Sequence, residues 1–114
     1  MGIDLIPTDT MVSSGALVTI MVKVTNTENF DDTFDVELTY DNIPDAYSDY
    51  RLDFNWTDWS DRRQEVSVNT KSSAEIPLTI TVPAGESGYK LYSVTARSVN
   101  WVTVGSNTEG ILIT

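Results

Sequence analysis

Two stretches in which every second residue is apolar constrain this chain more than anything else in it. Val18, Ile20, Val22 and Val24 run into the turn Asn26-Thr27-Glu28-Asn29, and Phe34, Val36, Leu38 and Tyr40 follow it. Ala74, Ile76, Leu78, Ile80 and Val82 form the second stretch and end at Pro83-Ala84-Gly85. A period of two puts one set of side chains on one face of a strand and the alternate set, here Thr33, Asp35, Glu37 and Thr39, on the other. Strands that bury one face and wet the other are the strands of antiparallel sheets.

The remainder of the chain reads the same way. Helical i, i+3, i+4 spacing is missing and β-branched residues are dense throughout. The pattern predicts strands over 3–6, 16–25, 33–40, 64–69, 75–82, 89–99 and 111–114, the last helped by Trp101, Val102 and Val104. Tyr50, Leu52, Phe54 and Trp56 alternate with Arg51, Asp53 and Asn55, which predicts a further strand between the third and fourth of these. In the 89–99 strand, Tyr92, Val94 and Ala96 are expected to face inward. Pro77 marks an edge position or a bulge, because proline cannot donate to a ladder, and Lys23, Glu37 and Pro77 read as guards against edge pairing. Seven or eight short strands separated by turn signals predict an all-β, immunoglobulin/fibronectin-type antiparallel β-sandwich. A chain of 114 residues is enough for one such domain, spanning 1–114.

Charge and composition narrow the function classes. With 17 acidic residues against 7 basic ones, the net charge of -10 repels nucleic-acid phosphates and anionic lipid. No apolar run approaches the roughly 20 residues that span a bilayer, so neither nucleic acid nor direct membrane insertion is expected. Histidine and cysteine are both absent, which removes histidine-based triads, thiol nucleophiles, disulfides and the usual zinc sites together. Met1-Gly2 reads as a start added ahead of an interior segment, so the domain is expected to be excised from a larger protein.

The segment from Val24 to Leu38, VTNTENFDDTFDVEL, resembles the VTNTGN-DDTF-L-L stretch of immunoglobulin-like repeats in prokaryotic, especially archaeal, cell-surface proteins. Ser72 to Gly85 is similar to the GESATVTLTVTVPAG of the same repeats, and the nearest named groups are the alpha-galactosidase-associated sandwich domain and the bacterial cell-adhesion-related domain. The resemblance implies a seven-stranded sandwich that is extracellular or in the cell envelope, non-catalytic and without a cofactor, serving as spacer or adhesive module. Its implied partners are neighbouring domains of the parent protein, and a glycan or another surface protein. Glu28 stands where those repeats carry glycine, Lys71-Ser72-Ser73 replaces Pro-Gly-Glu, and the segment from Asp41 to Arg63 has no counterpart.

That unmatched segment holds the candidate sites. Asp41, Asp45, Asp49, Asp58 and Asp61 cluster there, and Asp31, Asp32 and Asp35 form a second acidic group. Calcium takes six to eight oxygen ligands, which loop aspartates and carbonyls can supply. The spacing is not that of an EF-hand, and a solvated acidic surface is the competing reading. Aromatic faces stack on sugar rings while carboxylates accept hydroxyl bonds, so the same segment is also a candidate glycan-binding patch. If Tyr50, Phe54 and Trp56 occupy one strand face and go into the core, Tyr47, Trp59 and Trp101 remain as stacking platforms. Asn55-Trp56-Thr57 is an N-glycosylation sequon at Asn55. Carboxylate pairs can serve glycoside hydrolysis, but no aspartate stands out from its neighbours, and the chain is not expected to be an enzyme.

Overall fold

The computed structural model describes residues 1–7, 11–39, 43–52, 55–56 and 62–114. Among them are nine strand segments: β1 (Gly2–Pro7), β2 (Met11–Val12), β3 (Leu17–Thr25), β4 (Asp32–Thr39), β5 (Asn55–Trp56), β6 (Arg63–Val68), β7 (Ser73–Thr81), β8 (Gly88–Ser98) and β9 (Val104–Ile113). Two 3-10 turns joined across a kink at Tyr47, together η1, cover Asp45–Tyr50. One sheet has the order β1-β3-β7-β5 and the other β2-β9-β8-β4-β6. Strand pairing is antiparallel throughout, except that Met11 and Val12 run parallel to Leu112 and Ile113.

The core is what the alternation predicts. Val18, Ile20, Val22 and Val24 of β3 meet Leu78 and Ile80 of β7 across the sheet, and Phe34 and Val36 face them from β4; all are almost wholly buried. Tyr92, Val94 and Ala96 face inward from β8, and Ile111 and Ile113 from β9. The Tyr92 phenol has its pKa raised above the ordinary tyrosine value by burial and by the nearby Glu109 carboxylate, so it stays neutral.

The outer face of the five-stranded sheet is tied across its strands by polar groups. Glu37 of β4 accepts from Arg97 of β8 at 2.6 Å and from Arg63 of β6 at 2.6 Å, and Arg63 also lies 3.3 Å from Asp35. Beside this clamp Thr39 and Thr95 share a hydrogen bond of 2.7 Å, and Ser93 donates to the Asn107 carbonyl at 3.1 Å. Partly exposed ion pairs are screened by solvent, so Glu37→Gln is expected to cost only about 0.5–1 kcal/mol. Urea unfolding at low salt and again in about 1 M NaCl checks this: the difference should shrink as the Debye length falls.

Three sequence expectations are corrected. The 50–56 stretch is not one strand: Tyr50 ends η1 half-exposed, Arg51 bridges Leu91 in parallel, Leu52 plugs the core, and Asn55–Trp56 pairs with β7 of the opposite sheet. The last strand begins at Val104, not Ile111, because β8 offers an unbroken ladder down to Arg97. Lys23 and Glu37 guard no edge, since β3 lies between β1 and β7, and β4 between β8 and β6. Pro77 lies on β7 opposite Met21 of β3, and β7 itself runs between β3 and β5.

Candidate functional site

The sandwich is about 45 Å long, and its two poles have different chemistry. At the first, the turn after β3 is organised by a buried amide. Asn26 donates through Nδ2 to the carbonyls of Phe30 and Val68, each at 3.0 Å, while its Oδ1 accepts from the Glu28 amide at 2.9 Å. That Asx turn accommodates Glu28 without a positive φ. Lys71, by contrast, takes φ 55 in the turn before β7, and its Nζ donates to the Thr27 carbonyl at 2.6 Å.

Beside this turn is a polar cleft of about 260 Å³ lined by Asp31, Asp32, Thr33, Ser67, Val68, Asn69 and Asn100. Asp32 is 3% exposed, and its carboxylate accepts from the Thr33 amide at 2.8 Å and the Ser98 hydroxyl at 2.5 Å. Ser98 Oγ in turn accepts from the Trp101 amide at 3.0 Å. Asp31 accepts from the Thr70 amide at 2.8 Å. These carboxylates are engaged in holding three loops together.

The second pole is aromatic. Beyond Thr39 the β8–β9 ribbon extends past the end of β4, and the segment with η1 and Arg51 takes β4's place beside it, the Leu52 amide donating to the Leu91 carbonyl at 2.9 Å. Pro44 and Asp45 set the start of η1: proline supplies helical φ, and the Tyr47 amide donates to the Pro44 carbonyl at 2.9 Å. The helix lays Tyr47 and Tyr50 over the outer face of the sheet, ring centroids 6.2 Å apart. With Tyr89 and Leu91 of β8 they line a hollow of about 180 Å³. The three tyrosines are 51%, 49% and 55% exposed. Tyr89 lies across Gly110 of β9, where any Cβ would overlap its ring.

No protein-family profile matches the chain, and no curated protein does. Among solved structures it is similar to the sporulation control protein Spo0M of Bacillus subtilis, with TM-score 0.64 and 12% identity over 98% of this chain. The chain spans about half of that protein, 48% of its length. It is similar to MyfA, the major subunit of the Myf fimbriae of Yersinia enterocolitica, solved in complex with galactose, with TM-score 0.50 and 14% identity over 100% of this chain and 96% of that one. SSP-19, an MSP-domain-like protein of Caenorhabditis elegans, aligns with TM-score 0.45 and 16% identity over 91% of this chain and 92% of that one. The fold is immunoglobulin-like.

The predicted site residues that lie within the described part of the structure have the following places. Asp45 is exposed and 3.4 Å from Arg51, and Asp49, also exposed, gives its carbonyl to Lys90 at 3.1 Å; Asp41, Asp58 and Asp61 lie outside the described residues. Among the described residues no three acidic side chains gather as a metal-holding group. The second acidic group divides, Asp31 and Asp32 in the cleft and Asp35 beside Arg63. Tyr47 and Trp101 are at opposite poles, separated by the length of β4, roughly 23 Å at about 3.3 Å per residue. Trp101 packs on Phe30, centroids 4.9 Å apart, and Trp59 lies outside the described residues. Asn55 is placed on β5 opposite Thr81. Tyr50 and Tyr89 are exposed aromatics that the sequence reading did not single out. Strand parity points to Tyr89, since it is odd where the inward Tyr92, Val94 and Ala96 are even.

Proposed function

We propose that this chain is a non-catalytic structural or adhesive module of a cell-surface protein, displayed outside the cell or in its envelope. The observation that carries the reading is what the buried and half-buried polar side chains do. Asn26, Asp32, Glu37 and Thr95 all bond from one strand or loop to another, stiffening the sandwich instead of converging on a reacting atom. The likeness of Val24 to Leu38 to archaeal-type surface repeats supports the same reading, as does the shared fold with a fimbrial subunit. Neighbouring domains of the parent protein are then its constant partners, and an acidic surface keeps such an array soluble.

Antibodies against the folded domain, applied to intact cells of the source organism, test this. Labelling without permeabilisation, and loss of the signal after protease treatment of whole cells, are the expected results. Labelling that requires permeabilisation would remove the surface reading.

A further inference from the structure

We propose that Tyr47, Tyr50 and Tyr89 form a stacking site for one pyranose ring of a neutral glycan, with Tyr89 as the platform. The proposal deepens the adhesive-module reading and rests on it. Three half-exposed tyrosines are brought together from two elements, while the core beneath is closed by Leu52 and Tyr92 without them. A tyrosine offers an apolar face to the C–H face of a sugar and a hydroxyl to its oxygens. Gly110 is what fixes the platform. In a strand interior glycine weakens the ladder and often marks a close approach, and here the approaching group is the hydroxyl end of the Tyr89 ring. A ring already in place loses little entropy on binding.

Size and charge choose the occupant. The hollow, at about 180 Å³, is smaller than the roughly 300–1,000 Å³ of drug-sized pockets, so it takes a single ring. Asp45 and Asp49, both exposed, stand on the same short segment as Tyr47 and Tyr50. With the net charge of -10 they disfavour sialylated or uronic-acid glycans. A protein partner needs about 800 Å² per side, far more than a hollow lined by Tyr47, Tyr50, Tyr89 and Leu91 offers.

The test is titration of the isotopically labelled intact chain, followed by its amide NMR spectrum, with lactose, mannobiose and cellotetraose, and with sialyllactose as the anionic control. Shifts confined to 45–51, 88–92 and 109–112, with a Kd of about 1 mM or tighter for at least one neutral sugar, are expected. Tyr89→Ala should weaken binding by about tenfold or more. So should Gly110→Ala, whose added methyl meets only the far end of the Tyr89 side chain and therefore tilts the ring without unfolding the domain. The melting temperature of each variant checks that. No response to any sugar, equal response to sialyllactose, or binding indifferent to both variants would overturn the proposal. Sugar-free, concentration-dependent broadening at the same amides would also overturn it, making the hollow a contact between two copies. Surface labelling of intact cells without sugar binding would remove this inference and leave the module reading in place.

Discussion

Replacing Phe34 with alanine is expected to lower the free energy of unfolding by about 3–5 kcal/mol. The side chain is wholly buried in β4, where its backbone pairs with Val66 of β6 on one side and Ser98 of β8 on the other. It faces β3 and β7 across the sandwich, so the ladders on both sides of β4 hinder collapse around a cavity there. Domains of this size hold about 5–15 kcal/mol in total, so the loss takes a large part of it. At about 4 °C per kcal/mol the midpoint should fall by roughly 12–20 °C. Ile80→Val, in the facing sheet, removes one methyl group and should cost only about 0.5–1.5 kcal/mol. Urea unfolding of both variants measures the pair. A loss below about 1 kcal/mol for Phe34→Ala would mean that the two sheets are not clamped at that layer.

How far the sequence alone reaches follows from what period two encodes. It encodes which face of a strand is buried, so β3, β4, β7 and the inward set of β8 were readable, with ends within one or two residues. It does not encode where a strand's neighbour stops. Tyr50, Leu52, Phe54 and Trp56 alternate as well as any strand, yet Tyr50 belongs to η1, and Arg51 and Leu52 pair with β8 at Leu91. Pro44-Asp45 carried the local helix-start signal. β9 was foreshortened for the opposite reason: Gly105, Asn107 and Gly110 are poor strand formers, and pairing with β8 overrides them. Two residues, Met11 and Val12, are too few to show any period. The tyrosine hollow was legible only in part. Parity exposes Tyr89, but bringing it to Tyr47 and Tyr50 depends on a contact some forty residues away in the chain, of which the alternation holds no trace.

Asp32→Ala is expected to cost about 1–3 kcal/mol near neutral pH, because it leaves the part-buried Thr33 amide and Ser98 hydroxyl without their charged acceptor. The acid dependence of this cost identifies the interaction. Burial by itself would raise the Asp32 pKa, but contacts with Ser98, the Thr33 amide, Glu28 and Asn100 outweigh it and hold the carboxyl below the ordinary 3.8. A carboxyl whose folded pKa is depressed contributes its full stability above the unfolded value and loses it as pH falls through the folded one. Between those two values the unfolded chain binds the proton that the folded chain refuses, so wild-type stability declines faster on acidification than that of the variant. The gap between the two should therefore be flat around neutrality and narrow steadily below the unfolded pKa of 3.8. A gap that stays constant into acid would mean that the donors hold the shape of the side chain, not its charge. Ser98 also receives the Trp101 amide, so losing the carboxylate loosens the loop that seats Trp101 on Phe30. The change in tryptophan emission should then appear in Asp32→Ala before the domain unfolds, and be absent from Phe34→Ala, which leaves that loop's hydrogen bonds intact.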